Sequence, residues 1–95
     1  MSSLTFIGCS ISYEKYSNVE GIPRGYIEHS LGKNQFEINY YFSKSGDVKL
    51  AENYLKRRAS EICHQEYRLS AIELRFPVST SKLDYQWVHA KVECN

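Results

Sequence analysis

The clearest pattern in the chain is the alternation of apolar and polar residues over residues 35–43. Its apolar face carries Phe36, Ile38, Tyr40 and Phe42. A period of two residues is typical of a strand with one buried face. Gly32, Lys33 and Asn34 form a turn signal just before it, so residues 26–31 are predicted to be its hairpin partner.

A helical period follows over residues 47–65. Apolar side chains recur there at spacings of three or four: Val48, Ala51, Leu55, Ala59, Ile62 and Cys63. Gly46 interrupts the preceding strand, and Asp47 is a good N-cap because its carboxylate can accept from the free N–H groups of the first turn. The pattern predicts a single helix with one face packed and the other in solvent.

Two further strands are predicted after the helix, over residues 67–76 and 85–94. In the first, the apolar period shifts near Ser70, which indicates a bulge or a sheet corner. The fold class is therefore α+β, with a single helix packed on an antiparallel sheet in the order β-β-α-β-β. Residues 4–13 are either an additional N-terminal strand or part of a signal.

Length and composition limit the classes of function. Ninety-five residues form one domain, and 42% hydrophobic content supports a folded core. Residues 14–25 hold no sustained period, so they are interpreted as a linker that precedes a single domain over residues 25–95. A net charge of +1 disfavours nucleic acid as a partner, and no stretch reaches the ~18 apolar residues of a transmembrane helix.

Residues able to carry catalysis or hold a metal do not form a recognisable motif. His29, His64 and His89 share no metal-ligand spacing, and the two Asp residues occupy predicted cap and loop positions. There is no nucleophile elbow and no glycine-rich phosphate loop. We therefore expect no catalytic residues, no metal, no cofactor and no enzymatic activity.

Aromatic residues on the face opposite the predicted core are the candidate interface. Tyr41, Tyr85 and Trp87 fall on that face, and exposed aromatic side chains are enriched in protein interfaces. Two interpretations stay open. Either these residues dock another protein or a second copy of the chain, or the linker covers them.

Two segments carry a family resemblance. Phe6, Ile7, Gly8 and Cys9 are similar to the end of a lipoprotein signal, where a small residue precedes the lipid-bearing cysteine. The second segment matches the run G-Y-x-E-x-x-L-x-x-N-x-F-x-V-x-F/Y at Gly25, Tyr26, Glu28, Leu31, Asn34, Phe36, Ile38 and Tyr40. It also matches a helix end R-A-A-E at Arg58, Ala59, Ser60 and Glu61. Over residues 9–67 the chain thus resembles a family of small bacterial lipoproteins of uncharacterised function. Ser60 and Glu66 depart from the pattern.

The resemblance implies a bacterial cell-envelope protein on the periplasmic side, anchored through a lipid on Cys9, with residues 1–24 as a signal remnant and linker. Its partner would be another protein or a second copy, in a scaffold, inhibitor or immunity-type role. Cys63 and Cys94 would then remain as a pair in an oxidising compartment, either bridged or as two free buried thiols. The alternative is a cytosolic regulatory subunit or a small enzyme of unfamiliar type, with all three cysteines reduced.

Overall fold

The computed structural model describes residues 12–77 and 84–95, and in it one helix packs against an antiparallel sheet. The elements, in chain order, are β1 (Ser17–Val19), β2 (Ile22–Gly32), β3 (Gln35–Phe42), α1 (Val48–Cys63), β4 (Tyr67–Leu69), β5 (Glu73–Arg75) and β6 (Gln86–Cys94). The strands lie in the order β1-β2-β3-β6-β4, and β5 pairs with β6 beside β4. The predicted α+β class is confirmed.

The β2–β3 hairpin is the longest pairing in the sheet. Tyr26 lies opposite Tyr40, and Ser30 lies opposite Phe36. The register shifts between Ser30 and Gly32, and the connecting turn places Asn34 at φ 54°, a left-handed conformation that asparagine tolerates. The hairpin predicted from the alternation is present, and its first strand begins earlier than expected.

The core lies between α1 and the central strands β3 and β6. Ile38, Leu55 and Val88 are completely buried. The helix face that contacts the sheet also carries Ala51 and Ala59, whose small side chains allow the helix backbone to approach the strands. Burial therefore follows the apolar face predicted for the helix and for both strands.

The ends of α1 are defined by its capping residues. The Asp47 carboxylate accepts from the backbone N–H groups of Lys49 at 2.9 Å and Leu50 at 3.4 Å. At the other end, His64 adopts a left-handed conformation and its N–H donates to the Ser60 carbonyl. The helix thus ends two residues before the predicted Gln65.

The strand predicted over residues 67–76 is divided into β4 and β5. Leu69 lies opposite Val92 and Glu73 lies opposite His89, so the segment between β4 and β5 contains one more residue than the facing segment of β6. Ser70 stands at the break, where its N–H donates to the Lys91 carbonyl and its Oγ accepts from the Lys91 N–H. This is the irregularity predicted near Ser70.

Residues 14–24 differ from the predicted linker because they pair with the domain. Ser17–Val19 forms an antiparallel hairpin with the start of β2, and Lys15 forms a bridge with Tyr26. Gly25 permits this contact: its φ is 93°, and a Cβ there would lie 2.4 Å from the Lys15 carbonyl oxygen. The N-terminal strand expected over residues 4–13 lies almost entirely outside the described residues.

Candidate docking surface

Four aromatic side chains meet on the sheet face that points away from α1. They form the outer aromatic cluster: Tyr16, Tyr41, Tyr85 and Trp87. Tyr41 of β3 lies directly opposite Trp87 of β6, and Tyr85 precedes Trp87 by two residues on the same side. The structure therefore brings together the three aromatic residues predicted from the sequence.

The rings of this cluster are in mutual contact. The Tyr41 centroid is 5.2 Å from that of Trp87 and 6.1 Å from that of Tyr85, and the Tyr85 and Trp87 centroids are 6.0 Å apart. Tyr16 contacts Tyr41 edge-on at 5.6 Å. These separations are in the range of favourable aromatic pairs, so the rings support one another as a preformed surface.

Tyr16 is the member that sequence reasoning missed. It lies in the stretch interpreted as a linker, where no alternation indicated which way its side chain points. Its N–H donates to the Tyr26 carbonyl, which fixes the backbone beside β2, and its side chain remains 39% exposed. The segment thus adds a ring to the cluster and leaves the cluster accessible.

Tyr41 is the central residue of the cluster and is half-buried. Burial raises the pKa of its phenol, and the neighbouring Tyr16 and Tyr85 add to that increase. Tyr41 therefore stays neutral at physiological pH. A neutral phenol with an apolar ring suits contact with an apolar partner surface.

A polar group adjoins the aromatic cluster on the same face. His89 Nδ1 lies 2.8 Å from Asn39 Oδ1, and its Nε2 lies 4.0 Å from Glu37 Oε2. Sequence reasoning placed His89 on the outer face, and it does lie there, but only 7% of it is exposed. Burial, followed by the charge of Arg75, lowers the pKa of His89, so the ring is predominantly neutral near pH 7.

A second aromatic group lies on the helix side of the sheet. Tyr13 contacts Tyr26 and Tyr54, its hydroxyl donates to Glu61, and the Arg57 guanidinium lies 4.0 Å from its ring centroid. The Tyr40 hydroxyl donates to the Ser12 carbonyl. These contacts hold Ser12 and Tyr13 against the core, so we assign this group a structural role.

Arg58 joins the helix to β2. Its guanidinium donates to both carboxylate oxygens of Glu28, at 3.1 and 2.8 Å, and lies 4.5 Å from the Tyr26 ring centroid. Glu61 lies 3.2 Å away on the same helix. Gly25, Tyr26, Glu28 and Arg58, all part of the lipoprotein-like pattern, thus have structural roles here.

Cys63 and Cys94 are joined by a disulfide bond in the structure. It links the last residue of α1 to the last residue of β6, with a Cα–Cα distance of 5.2 Å and 31 residues of sequence separation. Cys63 packs against the core, and Cys94 lies opposite Tyr67 of β4. Cys9, the predicted lipidation site, lies outside the described residues.

Across residues 12–77 and 84–95, no group of three or more His, Cys, Asp or Glu side chains is arranged to hold a metal ion. The helix described in this part of the chain is too short and too polar to cross a membrane.

Comparison with protein-family models, with curated proteins and with solved structures finds no match to the chain. The lipoprotein resemblance therefore stays a prediction.

Proposed function

We propose that this chain is a non-enzymatic protein-binding domain of the bacterial cell envelope, held to the membrane by a lipid on Cys9. Its docking surface is the outer aromatic cluster of Tyr16, Tyr41, Tyr85 and Trp87. The observation that carries the proposal is the meeting of four partly exposed rings on one sheet face. Rigid aromatic rings supply large contact areas and lose little conformational entropy on binding.

The composition of the surface favours a protein partner. Asn39 and Glu37 are partly exposed, lie on the same face of β3 as Tyr41, and offer polar groups at the edge of an apolar centre. An apolar centre with a polar rim is the usual arrangement of a protein interface. A net charge of +1 gives no field that would select nucleic acid.

The disulfide supports the proposed compartment. Bonds of this kind persist in the periplasm and outside the cell and are rare in the cytosol. The Cys63–Cys94 bond uses two of the three cysteines in the sequence, and lipidation of Cys9 would use the third. The cytosolic alternative instead requires all three thiols to be reduced.

Partner binding is tested with Trp87→Ala in the full chain. Removing a central interface tryptophan typically costs at least about 2 kcal/mol, or roughly thirty-fold in affinity. The tagged chain and its variants are used to capture partners from a native envelope extract, followed by titration with each captured protein. Trp87 is the only tryptophan in the chain, so its fluorescence also reports docking by the unmodified protein.

Val19→Ala is the matched control, because Val19 is 53% exposed and lies outside the aromatic cluster. We expect Val19→Ala to retain the partner and Trp87→Ala to lose it, with the unfolding midpoint of each variant measured separately. A partner that binds the Trp87→Ala variant as tightly as the unmodified chain would contradict the proposed surface.

The anchor is tested by expressing the chain with its native upstream DNA in a bacterial host. We expect the mature N-terminus to be Cys9, with a mass increase matching a diacylglyceryl group, and Cys9→Ser to abolish both. An unmodified Met1 N-terminus with three alkylatable thiols would favour the cytosolic alternative.

A further inference from the structure

Within residues 12–77 and 84–95, one side of β2 is left open for pairing. Residues 22–24 pair with β1 and Tyr26 pairs with residues 14–16, and among the described residues the pairing on this side stops there. Residues 27–31 of β2 are called the open edge below: residues 27–30 pair with β3, and Leu31 lies at the register shift before Gly32. An exposed strand edge of this kind is a template for adding another strand.

The directions of the backbone groups follow from Tyr26. Its N–H donates to the Glu14 carbonyl and its C=O accepts from the Tyr16 N–H, both at 2.9 Å, so both groups point away from β3. This direction alternates along an antiparallel strand. The N–H and C=O groups of Glu28 and Ser30 therefore also point away from β3, into the open edge.

The opposite side of the sheet is protected. β4 and β5 contain three residues each and are separated by the irregularity at Ser70, and short interrupted strands are a common defence against edge pairing. The open edge carries one charged residue, Glu28, which pairs with Arg58 of the same chain, and it ends at the register shift between Ser30 and Gly32. It contains no Lys, Arg or Pro, whereas Pro23 and Arg24 occur on the part of β2 that β1 already covers.

We propose that the open edge pairs antiparallel with the open edge of a second copy of this chain, about a two-fold axis at His29. In this register Glu28 lies opposite Ser30 of the second copy, and the two residues exchange both backbone hydrogen bonds. Two-fold symmetry repeats the exchange, which gives four bonds. Ile27 lies opposite Leu31 of the second copy, and an apolar pair forms at each end.

The side chains allow this pairing without opposed charges. Glu28 is already neutralised by Arg58 of its own chain at 2.8 Å, and it faces a serine. Leu31 is 46% exposed, so its burial against Ile27 removes apolar surface from water. Gly32, with φ 118°, pairs with Gln35 of its own β3 at the start of the turn, so the proposed pairing ends at Leu31.

The association is tested by sedimentation equilibrium of the full chain up to about 1 mM, since an interface this small is expected to be weak. The decisive variant is Ser30→Pro, which removes an outward N–H and leaves the bonds to β3 intact. Loss of two of the four bonds, at about 1 kcal/mol each, predicts a roughly thirty-fold weaker dimer. Ser30→Ala keeps the N–H and should dimerise like the unmodified chain.

Crosslinking tests the register even if Ser30→Pro disturbs folding. In a chain carrying Cys9→Ser, His29→Cys places two thiols directly opposite across the axis and should form a disulfide-linked dimer with oxidised glutathione. Ile27→Cys faces Leu31 of the second copy and should crosslink far less. Residue 29 is exposed, so its replacement leaves the core unchanged.

Several outcomes would overturn the proposal. These are a monomer at every concentration, equal crosslinking by His29→Cys and Ile27→Cys, or a dimer that survives Ser30→Pro and dissociates with Trp87→Ala. The last result would place self-association on the outer aromatic cluster. If Trp87→Ala instead loses the captured partner but still dimerises, the result supports the outer aromatic cluster as the docking surface and the open edge as the dimer contact.

Discussion

Removal of the Cys63–Cys94 disulfide should lower the stability of the domain by a large and calculable amount. The bond closes a loop with a sequence separation of 31 residues. In the chain-entropy model a loop of that length restricts the unfolded chain enough to contribute about 3.5 kcal/mol at 25 °C. Small domains have total stabilities of about 5 to 15 kcal/mol, so this is a large share.

The variant for this test is Cys63→Ala combined with Cys94→Ala, and urea unfolding followed by circular dichroism is the assay. A domain of this size loses roughly 4 to 8 °C in midpoint temperature per kcal/mol, so the midpoint of thermal unfolding should shift downward by roughly 14 to 28 °C. Dithiothreitol should reproduce the effect in the unmodified chain and leave the double variant unchanged.

Cys9→Ser is the matched control, since Cys9 takes no part in the bond between Cys63 and Cys94. It should unfold at the same urea concentration as the unmodified chain. A change of less than about 1 kcal/mol in the double variant would refute the reasoning, because constraint of the unfolded chain would then be a minor contribution.

Two other positions give predictions of similar precision. Gly25→Ala should lower the free energy of unfolding by more than about 2 kcal/mol, because its Cβ would lie 2.4 Å from the Lys15 carbonyl oxygen, and it should expose the Tyr16 amide to hydrogen exchange. Gly21 also has a positive φ but lies in open space. Gly21→Ala should therefore lower the free energy of unfolding by only about 1 kcal/mol and leave the Tyr16 amide protected. In the folded chain, burial lowers the pKa of His89 below its ordinary value of about 6.5, so the unfolded chain binds the proton more readily. The free energy of unfolding should therefore fall as pH decreases from about 7 to 5. His89→Gln should flatten this pH dependence in urea unfolding, and an unchanged slope would contradict the assignment.

Regular periods explain what could be predicted from the sequence. The alternation through Ile38, Tyr40 and Val88 and the helical period through Leu55 follow the buried faces seen in the structure. Because strand pairing places alternate residues on one side, the same patterns also placed Tyr41 and Trp87 together. The spacing within each strand thus predicts which side of the sheet a residue faces, even though the strands that pair are far apart in sequence.

The remaining features depend on contacts that no period reveals. Glu20 and Gly21 have positive φ values and Gly25 lies at φ 93°, so residues 14–25 show no alternation although they are paired. The burial of His89 on the outer face depends on its neighbours Asn39 and Glu37 on another strand. Such placements depend on tertiary contacts, so Tyr16 could not be assigned to the aromatic cluster from the sequence.

The two proposed surfaces reinforce each other through symmetry. Pairing of two open edges extends the sheet across the two-fold axis, and that axis is perpendicular to the sheet, so both outer faces lie on the same side. A dimer would thus present two aromatic clusters to one partner surface, with both helices on the opposite side. If each cluster binds weakly, the second contact becomes intramolecular and the combined affinity rises without any new residue. Ser30→Pro should therefore weaken capture of a multimeric partner while leaving the binding of a single partner domain unchanged.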